Sequence, residues 1–311
     1  MNAKNMKSKQ KTPRTFKQIL CSDNVTGYAF AAPFIIGFLG FTVIPMIMSL
    51  YYSMTDYNLV DDPNWVGLFN YVKLFTQDDR FWNSIFVTLK YVVIAVPLKL
   101  TFALMVAFFL TRKSRVVSVY RAIYYLPSLI GGSVAVALVW KQMFSRKGLI
   151  NSLILNMGFD RVNWLGDERW AIIPLILMTV WQFGSSMIIF AAGLKEIPST
   201  YYEAAQIDGA GTVKSFFKIT LPCLSPIILF NLVMQTISGF MVFTQSFVIT
   251  QGGPNDSTNF LALYIYNNGF GFKKMGYASA MSWILLIVIA TVTLIIFKVS
   301  KRFVFSEASD N

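Results

Sequence analysis

Apolar residues gather into six long runs, near residues 26–51, 83–110, 117–143, 170–193, 222–245 and 277–299, with polar stretches between them. A helix needs about 20 apolar residues to cross the hydrocarbon core of a bilayer. The pattern therefore predicts six spans and an all-α integral membrane protein. The first run, from Tyr28 to Tyr51, is too long for a signal-peptide core and has no small-residue cleavage site, so it reads as a retained span. Small residues recur where spans should meet: Gly131-Gly132-Ser133, Gly184-Ser185-Ser186, and Gly276 with Ala280. Such positions let helix backbones approach closely.

One stretch breaks the apolar half of the chain. Residues 196–222 read EIPSTYYEAAQIDGAGTVKSFFKITLP and mix acids, bases and small side chains. Pro198, Thr200 and Glu203 predict a helix start, with Thr200 as cap and Glu203 closing a capping box. Ala204 and Ala205 give that helix a face poor in side chains. Asp208-Gly209-Ala210-Gly211 should break it, and Thr212 should cap a second short helix ending at Pro222. The expectation is a helix–turn–helix elbow at the membrane surface.

Composition agrees with a membrane setting. Of 311 residues, 55% are hydrophobic and 14% charged, against roughly 25% charged in soluble proteins. There is no histidine, and Cys21 and Cys223 are the only cysteines. That excludes His-based catalysis, His or paired-Cys metal sites and a disulfide framework; no metal site is expected, and both thiols are expected to be free. A net charge of +12 is compatible with nucleic-acid binding, but its distribution follows the membrane instead. Sixteen Lys and Arg fall on one side (the N-terminus, 111–121, 194–221 and the C-terminal tail) and nine on the other (52–82, 141–169 and 246–276). The richer side is cytoplasmic, which places both termini and the elbow in the cytosol of a multi-pass protein of the plasma membrane. Residues 1–25 read as a basic cytoplasmic tail, 26–299 as the transmembrane domain with the loop at 194–221, and 300–311 as a second cytoplasmic tail.

The elbow also carries a spaced pattern. Glu203-Ala204-Ala205, three residues, Gly209, nine residues, Ile219, one residue and Leu221-Pro222 resemble the EAA loop of ABC importer permeases. Asp208-Gly209-Ala210 is similar to the form in the carbohydrate branch, including maltose and oligosaccharide permeases. So is the region Thr250-Gln251-Gly252-Gly253-Pro254 through Tyr264-Ile265-Tyr266 to Gly276-Tyr277-Ala278. The resemblance runs from about Ala29 to Lys298. It implies the six-helix fold of type I ABC importer permeases, in which the loop is a coupling helix seated on a separate ATPase subunit. Glu203, Ala204, Ala205, Asp208, Gly209 and Ala210 would then be the coupling residues. It further implies a second homologous permease subunit in a heterodimer, two ATPase subunits that carry ATP and Mg, and an extracellular substrate-binding protein. Val213 stands where many relatives carry Trp, which leaves the elbow without that aromatic anchor. No G-x-x-x-x-G-K-[ST] phosphate loop occurs, so this subunit is expected to hold no cofactor and to be a transport subunit, not an enzyme.

Two outer segments are more than connectors. Residues 52–82 hold Asp56, Asp61, Asp62, Asp78 and Asp79 with Trp65, and 144–169 hold Asn163-Trp164-Leu165-Gly166-Asp167. Interfacial Trp belts account for such residues without a partner; a docking surface for an external binding protein accounts for them equally.

Cargo contacts should be polar, intramembrane and on one face. Advancing 100° per residue, Asn231, Gln235, Ser238 and Gln245 share a sector of about 80° on the fifth run. Amides and hydroxyls suit a sugar, and they equally suit helix–helix hydrogen bonds. Trp181 and Gln182, with Tyr124 and Tyr125, are further candidates. Lys90 and Lys99, nine residues apart, lie on opposite faces of the second run. Lys90 can snorkel to the outer interface, whereas Lys99 is deep, where insertion costs about 2.5–3.5 kcal/mol. Lys99 should have a polar partner, a partner-subunit contact, or an acidic group on the cargo such as a uronic acid.

The function expected is import of a carbohydrate, an oligosaccharide, by alternating access. Import of glycerol phosphate or another polyol phosphate is the runner-up, because a cavity lysine suits phosphate. An ion-coupled secondary carrier would need buried acids, and a membrane-embedded enzyme would need an acid, His or metal constellation; no Asp or Glu lies in any of the six runs.

Overall fold

The computed structural model describes residues 23–110 and 115–301. Most of the basic N-terminal tail, Cys21, Arg112, Lys113 and most of the C-terminal tail lie outside them. The chain divides at Tyr51 into two units. In the first, α1 (Asp23–Phe38) passes through a π-helical turn, Leu39–Val43, into α2 (Ile44–Ser53). Phe30–Ser53 is long and apolar enough to cross a membrane.

The second unit is built around α4 (Asp79–Phe109), which follows the short α3 (Phe69–Gln77). Asp78 opens α4 by accepting the Phe81 N–H at 2.9 Å. Small residues on one face of α4, Ala95, Ala103 and Ala107, are fully buried and let neighbours approach. α8 (Ile172–Trp181), α9 (Gly184–Glu196) and α12 (Leu221–Phe240) pack there. Their core includes Tyr91, Met178, Met187, Phe190 and Phe240. A second cluster joins Leu74 and Phe81 to Leu261 of α13 (Leu261–Tyr266) and Met281 of α14 (Met275–Ser300). Among the described residues the only bridge is the isolated pair Thr55–Trp65, so the expected all-α fold is present.

Four helices are long and apolar enough to span a membrane, and six if each of two bent pairs counts as one. The expected third span, near 117–143, is made of α5 (Arg115–Ile130) and α6 (Val134–Met143), bent by 99°. Gly131 and Gly132 interrupt the helix and Ser133 caps its second half through the Val136 N–H. The fourth span bends by 42° between α8 and α9. The polar stretch after α6 includes α7 (Leu149–Asn156).

The two bends are docked on each other. Ser128 Oγ donates to the Gln182 carbonyl oxygen at 3.1 Å and accepts the Ser185 N–H at 3.0 Å. The Gln182 amide donates to the Gly131 carbonyl oxygen at 3.2 Å. A Cβ on Gly184 would lie 2.3 Å from the Tyr124 carbonyl oxygen, and one on Gly276 2.1 Å from that of Thr55. Gly184 and Gly276 thus sit where backbones approach closely, as expected, whereas Gly132 has open space around it.

The fifth span also differs. It ends at Phe240, not at 245, and the chain resumes as a π-helical turn at Ser246–Thr250. At its start, the second arm of the elbow does not stop at Pro222. α11 (Thr212–Ser215) runs through a π-helical stretch, Phe216–Thr220, straight into α12, giving one helix from Thr212 to Phe240. Pro222 sits within the first turn of α12, after the π-helical stretch that absorbs its missing N–H.

Candidate functional site

The elbow begins with α10 (Ser199–Ile207). Its helix starts one residue before Thr200: Pro198 holds the cap position and no side chain caps the helix, so the expected Thr200–Glu203 capping box is absent. The start of α10 is solvent-exposed, and water can serve its free N–H groups. Thr212 likewise is the first residue of α11, behind Gly211, and not its cap.

The stop signal is where it was expected. Gly209 has φ 73°, the Ala210 N–H reaches the Ala205 carbonyl at 2.8 Å and the Gly209 N–H that of Gln206 at 3.0 Å. Those two bonds form a Schellman turn, which requires a left-handed residue at Gly209. Across the turn, Tyr202 Oη and Thr220 Oγ1 are 2.9 Å apart and tie α10 to the root of α12. Glu203, Ala204, Asp208 and Gly209 are exposed, with Ala205 and Ala210 half-buried. Apolar Ile207 is 88% and Val213 72% exposed. An open groove of about 350 Å³ runs between Ala204, Asp208, Lys218 and Cys223. Two large apolar side chains thus stand in the open on either side of the turn.

The intramembrane candidates separate. Lys90 is exposed and Lys99 buried, as their opposite phases required. Lys99 Nζ donates to Gln235 Oε1 at 2.8 Å, linking α4 to α12. Asn231 is buried and donates to the Ile227 carbonyl of its own helix. Ser238 is exposed and donates to the Met234 carbonyl. Gln245 does not share their sector, because α12 ends before it. Its Oε1 accepts from Tyr91 at 3.3 Å and from Thr179 at 3.1 Å, and Tyr91 and Thr179 also hydrogen-bond each other. Trp181 stacks obliquely on Trp140 with centroids 5.6 Å apart, and Trp140 Nε1 donates to the Pro174 carbonyl at 2.8 Å. Gln182 belongs to the helix bends. Tyr124 meets Phe183 at 5.9 Å. Tyr91, Thr179 and Trp140 had no pattern to mark them: each is a single residue in an apolar run.

Three polar segments converge at the far end of α4. Arg80 makes a bidentate pair with Asp256 at 2.8 Å, and Asn83 donates to the Asp256 carbonyl. Asp78 accepts the hydroxyls of Tyr264, at 2.8 and 3.0 Å, and Tyr277, at 2.5 Å. Burial, then the Asp78 charge, pushes the Tyr264 phenol up to about 12. Asn255 hydrogen-bonds Glu168, and a cleft of about 520 Å³ opens beside Asn163, Asp167, Arg169 and Pro254. The Arg169 guanidinium holds the Asp167 carboxyl below the usual range. Residues from the stretches 52–82, 144–169 and 246–276 singled out in the sequence thus meet in one surface.

Residues 74–305 match the family described as binding-protein-dependent transport system inner membrane component. The probable ABC transporter permease protein YesP of Bacillus subtilis is 52% identical over 93% of this chain and 94% of its own length. The arabinooligosaccharides transport system permease protein AraP of the same organism is 32% identical, covering 93% and 92%. Among solved structures, a bacterial alginate ABC transporter in complex with an alginate pentasaccharide-bound periplasmic protein superposes with a TM-score of 0.80 at 25% identity, over 92% of this chain and 97% of that one. These relatives are transport components and not enzymes. With elbow, bent helices and outer surface all inside the matched stretch, the chain belongs to the family of inner membrane components of binding-protein-dependent transport systems.

Proposed function

We propose that this chain is one permease half of an ATP-driven importer that moves an oligosaccharide across the plasma membrane by alternating access. The observation that carries the reading is the continuity of the elbow with the pathway. The exposed turn at Glu203–Ala210 leads into a single helix, Thr212–Phe240, which bears Gln235 and Ser238, 25 and 28 residues after Ala210. A helix unbroken over that length can carry displacement at its root toward those residues. The names of relatives support the cargo class, since AraP is named for arabinooligosaccharides and the solved neighbour for alginate.

In this reading each bent pair counts as one span, giving six, with both termini cytosolic. Residues 1–25 and 300–311 are cytoplasmic tails around a permease domain at 26–299, and 194–221 is the coupling loop. Glu203, Ala204, Ala205, Asp208, Gly209 and Ala210 seat on a separate ATPase, where ATP and Mg are held. A second, homologous permease subunit completes the conduit as a heterodimer, and a binding protein loads it at the outer surface around Asp78, Asp167 and Asp256. Lys99, Asn231, Gln235, Ser238, Gln245, Trp181 and Gln182 belong to the cargo path or its frame. ATP-driven closure of the motor displaces the elbow, and the spans re-tilt. Each ligand biases the cycle by its differential affinity for the two states. Reconstitution of the complex tests this: sugar-loaded binding protein should stimulate ATP hydrolysis and uptake, and a cross-link from Ala204→Cys to an ATPase subunit should form. Uptake without any ATPase subunit would overturn it.

A further inference from the structure

We propose that Lys99 selects cargo that carries a carboxylate, making the conduit one for uronic-acid-containing oligosaccharides; this rests on the carbohydrate reading above. Lys99 is 8% exposed and, among the described residues, its ammonium has one partner, the neutral Gln235 amide oxygen. The ion pairs among the described residues, Arg80–Asp256 and Arg169–Asp167, lie elsewhere, and no acid occurs in any apolar run. A buried cation facing only a neutral acceptor is incompletely compensated. An entering carboxylate outcompetes an amide for it, because it brings a full opposite charge where the amide oxygen offers only a dipole, and Coulomb attraction is strong away from bulk water.

The surroundings give that carboxylate a place. Gln235 borders a stripe of exposed residues on α12, Phe230, Met234 and Ser238, spaced four residues apart and so on one face. The lysine stem has four rotatable carbons, enough to swing from Gln235 to a group lying on that stripe. Gln235, once released, offers a carbonyl and two N–H donors to sugar hydroxyls. Phe102, one turn from Lys99, is exposed and meets Phe183 edge-on at 4.8 Å, an aromatic edge for a sugar ring beside the charge.

The test uses the full complex with its binding protein and ATPases in vesicles. The probes are trimers of galacturonate, mannuronate and glucuronate, each with its methyl ester, and neutral trimers such as arabinotriose. Wild type should take up at least one acid tenfold faster than its ester. Lys99→Gln should lose that tenfold preference, Lys99→Arg should keep most of it, and Gln235→Glu, which supplies an internal counter-charge, should lose it. Equal loss of charged and neutral cargo in Lys99→Gln would overturn the proposal and make Lys99 a tie within this subunit or to its partner. Uptake of neutral trimers alone would overturn it while leaving the carbohydrate reading standing. Uptake of no saccharide would overturn both.

Discussion

The amide of Gln182 donates to the carbonyl oxygen of Gly131 at 3.2 Å, joining the breaks of two bent helices in one contact. A Cβ at position 131 would lie 2.4 Å from two carbons of that same glutamine and 2.6 Å from the Pro127 carbonyl oxygen. Gly131→Ala should therefore destabilise the subunit by about 1–3 kcal/mol, the usual cost of overpacking. The Gln182→Ala background should recover only part of it, because the Pro127 clash is with backbone. Gly132, which has open space where its Cβ would point, should accept Ala with little change. Thermal unfolding of detergent-solubilised complex, read by tryptophan fluorescence, checks all three.

Gly209 poses a different constraint. Open space surrounds its missing Cβ, so the demand is on its backbone, at φ 73°. Gly209→Val should cost roughly 1–2 kcal/mol in the turn, the penalty for a left-handed L-residue, while the subunit still inserts. Gly209→Asn should be milder, since Asn tolerates that conformation. Under the proposed coupling, stimulated ATP hydrolysis falls severalfold in the Val variant and less in the Asn variant; equal stimulation in all three would remove the role assigned to the turn.

Asp78 joins three elements by capping α4 while accepting from Tyr264 and Tyr277. Asp78→Ala should cost at least about 1.5–3 kcal/mol, the range for a hydrogen bond to a charged group. Asp78→Asn, which keeps an acceptor, should cost less. The phenol sets the pH window. Tyr264 is raised from 10.0 to about 12, so its contribution is whole below pH 10 and is lost as pH rises toward 12. Melting temperature measured from pH 7 to 11 should show no step from this residue below pH 10, and Tyr264→Phe should reduce the alkaline loss without abolishing it, since Tyr277 also donates to Asp78.

Helix positions and the elbow were legible because each rests on local rules. Long apolar runs mark spans, and Asp208-Gly209-Ala210-Gly211 ends a helix whatever surrounds it. Opposite phases of Lys90 and Lys99 followed from helix geometry alone. The sharp bend in the third run had no local signature, because Gly131-Gly132 is equally compatible with close packing and with a bend, and Gln182, which contacts it, lies 51 residues away. Gln245 was placed on the wrong face for a similar reason: nothing in its neighbours announces that α12 stops at Phe240. Its partners Tyr91 and Thr179 come from two other helices, a tertiary fact without a local trace. Thr200 was a plausible cap, but Pro198 already fixes the chain into the helix start.

The elbow's two arms are held by the Schellman turn and by the Tyr202–Thr220 hydrogen bond. The second arm is continuous with α12, so its direction is set by packing in the membrane. The first arm, α10, has no buried residue and depends on these two devices for its angle. Tyr202→Phe removes the hydroxyl and keeps the ring, and Thr220→Val removes the other partner with its shape kept. Each should cost about 0.5–1.5 kcal/mol or less, the net value of one hydrogen bond, and the double variant should be no worse than the single ones, since both remove the same contact. If α10 acts as a lever arm, loosening it uncouples the motor before it unfolds the subunit. Uptake per ATP hydrolysed should then fall in Tyr202→Phe at a temperature where the complex remains intact; an unchanged ratio would show that the turn alone holds the arm.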